Sequence, residues 1–423
     1  KFTITVNIEQ PSIYEDERIE EKEILGKAYT EKLSRHYPGG EIDSLVRLKG
    51  AMLSVTNYGG TIKGMNRDID LLLDMYSDLL LNPIIKEEYI SEEADDFEKS
   101  RKNGGQPTSV YGDEFSTEEL IDSLLTGKVE KEAERKEIVR NYDQINIETI
   151  RDYLQKRIVA NNAVVVVVGD FSKKECKEMM DRHFGNWQQG EAFSRERKLE
   201  YSKPIIRNRQ IYVIDDPHAV QSKIRFNWHL EDAFAYSENS IKLEVLNEIF
   251  GESQSSYLYR NLREDKGLCY GIRSSIAGND AGGSGSLLTH VRTDQTAYAM
   301  ENIILEMLRI RNTDVTQKDL DIAKSSLIGE FTRSLSGIAP VPYMSFAMVK
   351  DKYDLPDDYL QTKVSRYYSV TRDDIREMAR KYIEPFKCVI LVTGKASELR
   401  GTLDGFGDVT YLDEDGNELT FDK

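Results

Sequence analysis

Apolar residues recur along this chain at two spacings, and the switches between them lay out its elements. In RDIDLLLDMYSDLLLNP, residues 67–83, Leu71, Leu72, Met75, Leu79 and Leu80 return every three or four positions, forming one face of a helix that Pro83 stops. Residues 1–8, 51–58 and 163–169 read as strands. The last of these, AVVVVVG, is the longest strongly apolar run and is far too short to span a bilayer. A helix is expected from the first strand through about residue 36, a short one within 40–50, a charged one at 84–102, and others at 115–126 and 147–159, with a Gly-Gly-Gln-Pro loop at 104–107. Residues 186–207, of mixed charge, read as a linker. The order then returns. Strands are expected at 208–216 and 222–230, and a helix at 237–250 on Ile241, Leu243, Val245, Leu246, Ile249 and Phe250. Strands at 270–277 and 284–292 follow, then helices at 296–310, 316–333 and 372–383, and a strand at 387–393. The acidic close, 406–423, reads as a surface extension.

The return is a repeat in the residues themselves. At a constant offset of 225, Ile150 and Arg151 match Ile375 and Arg376, Lys156 and Ile158 match Lys381 and Ile383, and Val164, Gly169 and Ser172 match Val389, Gly394 and Ser397. Gly26, Leu33 and Arg35 match Gly251, Leu258 and Arg260 at the same offset. An ungapped match early and late in both halves predicts two homologous domains, 1–195 and 205–423. Strands mixed with helices place both in the α+β class, each a mostly antiparallel sheet with helices packed mainly on one face. Strand 208–216 has no counterpart before residues 1–8, so the first domain is expected to lack its N-terminal strand, with sequence upstream of Lys1 missing or cut away.

The stretch GESQSSYLYRNLREDKGLCYG, residues 251–271, carries the candidate chemistry. Leu258, Asn261 and Leu262 predict a short helix ending near Gly267, with Arg263 in its last turn and Tyr270 on the following strand, seven residues later. A helix end and the adjacent strand can aim a guanidinium and a phenol at one point, where they would hold a peptide carbonyl or the oxyanion formed from it. By residue type alone, the two also fit a surface ion pair and a half-buried strand residue. The repeat offers a control. Aligned on Lys49-Gly50 and Lys266-Gly267, the first copy has Val46 at the Arg263 position and Leu53 at the Tyr270 position, so the pair belongs to the second copy.

Ser256, Leu258, Leu262, Arg263, Gly267, Leu268 and Tyr270 follow the pattern S-x-L-x-x-x-L-R-x-x-x-G-L-x-Y, in which this chain resembles the pitrilysin/insulinase family of zinc metallopeptidases, the inverzincins. The resemblance implies that Arg263 and Tyr270 grip substrate across a closed chamber from a zinc centre. The family's zinc motif, H-x-x-E-H on a helix with a further glutamate downstream, is absent. The chain's histidines, His36, His183, His218, His229 and His290, are too far apart to form it, and GKAYTEKL at 26–33 holds Tyr29 and Leu33 roughly where ligands would stand. Cys176, Cys269 and Cys388 are scattered, and Glu92, Glu93 and Glu98 lie on a charged helix. No metal is therefore expected in this chain, and zinc is expected on a partner half. The glycine-rich stretch 278–286 reads as a hairpin turn rather than a phosphate loop, and Gly283 within it joins the expected substrate-binding residues as a border of the channel.

Composition narrows the partners. A net charge of −17 argues against nucleic acid, and three cysteines give no disulfide framework. No transmembrane segment is expected, and a soluble compartment, bacterial periplasm or cytoplasm, fits. The resemblance thus implies the non-catalytic half or subunit of a zinc metalloendopeptidase, not catalytic alone. It would pair with an H-x-x-E-H-containing homologous subunit or N-terminal half to enclose a peptide substrate in a clamshell, and form a homodimer in isolation. The alternative is a structural or peptide-binding protein on the same fold without proteolysis, since the family includes scaffold members. Retention of Arg263 and Tyr270 favours the first.

Overall fold

The computed structural model describes residues 1–10, 18–102, 120–121, 142–190, 208–279, 282–335, 341–350, 352–414 and 416–421. The loop expected at 104–107, most of the linker at 186–207 and most of the helix at 115–126 lie outside these. Two compact units emerge. One comprises Lys1–Asp113, Lys136–Glu196 and Thr332–Leu360, the other Glu114–Arg135, Arg197–Phe331 and Gln361–Lys423.

In the first unit, β1 (Phe2–Ile8), β2 (Met52–Thr56), β3 (Gly59–Gly64) and β4 (Ala163–Gly169) form an antiparallel sheet in the order β2-β3-β1-β4. Period-two alternation buries Phe2, Ile4, Val6 and Ile8 on one face. Helices α1 (Ile19–Glu31), α2 (Glu41–Leu48), α3 (Ile69–Leu81), α4 (Glu87–Lys102), α5 (Ile147–Arg157) and α6 (Lys173–Phe184) accompany the sheet. Leu25, Leu72, Tyr76, Ile150 and Tyr153 join the strands in one core. Strand β3 escapes the sequence pattern because glycines occupy it. A side chain at Gly60 would begin 2.1 Å from the Ser54 carbonyl oxygen, so close strand approach excludes one.

The second unit contains β5 (Gln210–Asp215), β6 (Gln221–His229), α7 (Ser240–Asn247), β7 (Cys269–Ala277), β8 (Ser284–Arg292), α8 (Thr296–Asn312) and α9 (Gln317–Ser334). After α10 (Val341–Val349), which belongs to the first unit, come α11 (Lys363–Ser369), α12 (Arg372–Tyr382), β9 (Val389–Gly394) and β10 (Asp408–Leu412). The sheet order is β10-β5-β9-β6-β8-β7. Its inner run β9-β6-β8-β7 repeats β4-β1-β3-β2 of the first unit, while β5 and β10 add parallel strands beyond β9. The α+β expectation holds for both sheets. The closing stretch is not a surface extension: Val409 and Tyr411 pack on the core, and β10 pairs in register with β5.

The repeat extends to local chemistry. Asn146 and Thr371, 225 positions apart, both start a helix with a capping box, accepting from the backbone of Thr149 and Asp374 respectively. It also governs a third layer. Ile121 closes over Ile214, Val389 and Leu391 on the non-helical face of the second sheet. Helix α10, which contains Phe346 at the equivalent position of the repeat, lies against β4 in the first unit.

Candidate functional site

The fold itself uses most positions of the 256–270 motif. Ser256, fully buried, caps the next turn by accepting from the Tyr259 backbone N–H at 3.3 Å. Leu258 and Leu262 are fully buried in the second core. Gly267 ends the turn in the left-handed region at φ +63, as Gly50 does in the first unit at φ +59. Arg260 and Tyr257 fix the turn from outside: both bond Asp319, at 3.0 and 3.1 Å. Burial opposes ionisation of Asp319, but bonds from Thr316, Arg260 and Tyr257 outweigh it and hold the carboxyl below its usual range. The same environment, burial first, pushes the Tyr257 phenol up to about 12.

Arg263 and Tyr270 have no such structural duty. Arg263 lies in a π-helical turn, Arg260–Asp265, and its guanidinium carbon sits 4.6 Å from the Tyr270 ring centroid and 5.4 Å from that of Tyr259. Among the described residues no hydrogen bond or ion pair reaches this guanidinium. Tyr270 is 89 % exposed. Stacking uses the faces of a guanidinium and leaves its edge N–H donors for a carbonyl or carboxylate. The structure therefore brings Arg263 and Tyr270 together and adds Tyr259, whose spacing of four before Arg263 on a helix was the available signal. It does not bring Gly283 to them. Gly283 lies beyond the far end of β7, about 20 Å along the strand from Tyr270 at ~3.3 Å per residue. There its carbonyl accepts from the Leu230 N–H, and at φ +128 it leaves no room for a side chain beside Ala233 and Ala277.

The π turn also revises the comparison between the copies. Gly50 N–H bonds the carbonyl of Arg47 and Gly267 N–H that of Arg263, while the next bonds, Ala51 to Val46 and Leu268 to Leu262, span one residue more in the second unit. The inserted residue puts Arg47, not Val46, at the place equivalent to Arg263. Leu53 still stands opposite Tyr270, so the first copy has no stacked pair.

In the first unit, the segment in the place of the zinc helix does not suit a metal. Tyr29, on α1, is buried with its hydroxyl donating to the Leu80 carbonyl at 3.0 Å, and burial pushes its phenol far up. Among the described residues no group of three His, Cys, Asp or Glu side chains could hold a metal ion.

A second π turn, Glu248–Glu252, leads into the motif and buries Glu248. Burial, with Glu252 and Glu330 nearby, pushes this carboxyl up against a pull from Ser326. A raised folded-state value contributes stability below the ordinary glutamate range that is lost as pH rises through it. Glu248→Gln is therefore expected to stabilise the chain by about 1 kcal/mol near pH 8 and to flatten its stability between pH ~5 and ~8. Urea unfolding at both pH values checks this, and an unchanged pH dependence would contradict it.

The comparisons with known proteins agree with this fold. Residues 144–327 match the family described as "Peptidase M16 inactive domain". An "Uncharacterized zinc protease YmxG" from Bacillus subtilis (strain 168) is 23 % identical over 191 residues, 45 % of this chain and 44 % of that one. A "Probable inactive metalloprotease YmfF" from the same organism is 20 % identical over 247 residues, 57 % and 54 % of the two chains. The chain spans about half the length of the curated relatives it matches. A crystal structure of a peptidase M16 inactive domain from Pseudomonas fluorescens superposes with a TM-score of 0.70 at 17 % identity, covering 93 % of each chain. A protease from Helicobacter pylori gives 0.68 at 16 %, covering 93 % of this chain and 94 % of that one. These solved structures share the fold. Together the matches make this chain similar to the zinc metallopeptidases of the M16, or pitrilysin/insulinase, family. More particularly, residues 144–327 match the inactive domain, and the sequence given lacks the H-x-x-E-H motif. Among the described residues no helix is long and apolar enough to cross a membrane.

Proposed function

We propose that this chain is the non-catalytic half or subunit of a zinc metallopeptidase that degrades peptides inside a clamshell chamber. The supporting observation is that the fold uses Ser256, Leu258, Leu262 and Gly267 for its own purposes and leaves Arg263 and Tyr270 stacked, accessible and unspent. Their edge donors suit the substrate carbonyl and the negative charge it gains during hydrolysis. The zinc and the water-polarising glutamate belong, on this proposal, to an H-x-x-E-H partner, either a homologous subunit or a half joined to this one. The purified chain alone is expected to show no chelator-sensitive cleavage of an unstructured peptide, and the chain recombined with its H-x-x-E-H companion is expected to cleave it. Cleavage by this chain alone, or no gain on recombination, would contradict the proposal. The description of one relative as a probable inactive metalloprotease favours a second reading, a structural or peptide-binding protein without proteolysis. A companion lacking H-x-x-E-H, or a homodimer that binds peptide without cleaving it, would select that reading.

A further inference from the structure

The motif helix of the second unit carries one residue more than its counterpart in the first, and a buried polar pair lies beneath the insertion. The stretch from helix cap to terminal glycine runs Gly40–Gly50 in the first unit and Ser256–Gly267 in the second, one position longer. Aligned from the caps, Ile42 matches Leu258, both fully buried, and Leu45 matches Asn261. Helices α3 and α8 align as closely. The 3₁₀ turns Asn66–Asp68 and Thr293–Gln295 lead into them, and fully buried Leu72, Leu73, Tyr76 and Leu80 match fully buried Ala299, Met300, Ile303 and Met307. In this register Leu79, fully buried, matches Glu306, which is 5 % exposed.

Where the first copy packs Leu45 on a core that contains Leu79, the second has the Asn261 amide donating to the Glu306 carboxylate at 2.6 Å. The Asn261 amide oxygen accepts from Lys266 Nζ at 2.7 Å, so this side chain ties α8 to the residue before Gly267 across the π turn that holds Arg263. Lys49, at the matching place before Gly50, bonds Asp68 instead. Glu306 also meets Arg309 at 3.2 Å. Burying a carboxylate is costly, and an apolar pair of similar volume is often as stable or more so. The first unit builds the same arrangement with leucines, so the fold does not require the polar pair. That pair occurs in the copy that has the extra residue and the stacked arginine.

Resting on the role proposed for Arg263, we infer that Asn261 and Glu306 are positioning residues. The bond between them holds the turn open by one residue and so sets the direction in which Arg263 meets the Tyr270 ring and a substrate carbonyl. A π turn is a rare insertion in a helix and needs an anchor to persist. Glu306 supplies it from α8, which the second core holds through Met300, Ile303 and Met307. The extra residue matters because one position along a helix turns a side chain by about 100°, enough to take the guanidinium off the ring.

The double variant Asn261→Leu/Glu306→Leu installs the residue types of the first copy and tests this in the full chain. It is expected to fold with a urea midpoint equal to or above that of the parent, and its crystal structure is expected to show Arg263 displaced from the Tyr270 ring. Recombined with the H-x-x-E-H companion, it should lose kcat about 10- to 100-fold with KM little changed. Glu306→Gln, which keeps an acceptor for Asn261, should retain most of that activity. If the double variant does not fold, Asn261→Ala, at a half-buried position, carries the same test. An unmoved Arg263–Tyr270 stack, or full kcat in a variant where Arg263→Ala has lost it, would overturn the inference. The two claims separate. If Arg263→Ala leaves kcat unchanged, the role proposed for Arg263 fails, and the place of Arg263 in the variant's structure alone decides whether Asn261 and Glu306 position it.

Discussion

Arg263→Ala, in the recombined peptidase, is expected to lower kcat by on the order of 10²–10³ while leaving the chain folded and its assembly intact. On the proposed role, the size follows from the removal of a charged donor for a developing oxyanion. The unchanged stability follows from the surroundings of the guanidinium, which stacks on the rings of Tyr259 and Tyr270 and makes no hydrogen bond or ion pair among the described residues. A cation–π stack at an exposed site contributes about 0.5–1 kcal/mol, too little to unfold a domain. Arg263→Lys should recover little, because an ammonium keeps the charge but loses the planar fork that can lie between two rings and present its edge. Tyr270→Phe keeps the stack and removes the hydroxyl, so a loss in its kcat isolates the phenol as a second donor.

On the role proposed for Arg263, Tyr259, whose ring centroid lies 5.4 Å from its guanidinium carbon, would act through it as a positioning residue. Tyr259→Phe preserves the ring face and should retain activity, whereas Tyr259→Leu should lower kcat about tenfold with KM little changed, since a misplaced donor weakens transition-state contacts more than substrate binding. Steady-state kinetics of these variants, beside urea unfolding curves, checks the set. Full activity in Arg263→Ala would remove the pair from the mechanism.

How far the residues announced all this varies with the physics. Strands β1, β4, β6 and β9 were legible because their alternation or continuous burial is written in Ile, Val and Phe. The helix α3 was legible because its apolar stripe is. Strand β3 was not, since backbone approach to Ser54 demands the very glycines that read as turn. Strand β10 was hidden for a different reason: its place is set by pairing to β5, distant in sequence, and its acidic flanks read as solvent-exposed. The motif region was legible in its Arg–Tyr spacing but not in its π turn, which shifted the equivalent of Arg263 from Val46 to Arg47. The placement of Ile121 and α10 had no local signature either. Segments of equal position in the repeat, each seated on the other half's sheet, leave the repeat itself unchanged.

The largest stability effect is expected at Trp228, where the core of the second unit depends on a fit between two facing strands. Trp228 is fully buried, donates its indole N–H to the Tyr382 carbonyl at 2.6 Å, and lies opposite Gly285 in register. A side chain begun at Gly285 would meet the indole at 2.0 Å, so the ring occupies the space that glycine leaves. Trp228→Ala should cost about 3–5 kcal/mol by cavity formation, with about 1 kcal/mol of that range from the carbonyl left without its donor at the end of α12. Gly285→Ala alone should cost about 1–3 kcal/mol, because a rigid ring packed in a core cannot move aside. In the Trp228→Ala background the same Gly285→Ala change should cost almost nothing, the obstruction being gone. Urea unfolding of the four chains measures this coupling, expected at about 2 kcal/mol. Additive costs would mean that the indole and Gly285 are not packed as described, and that some other feature of β8 excludes a side chain there.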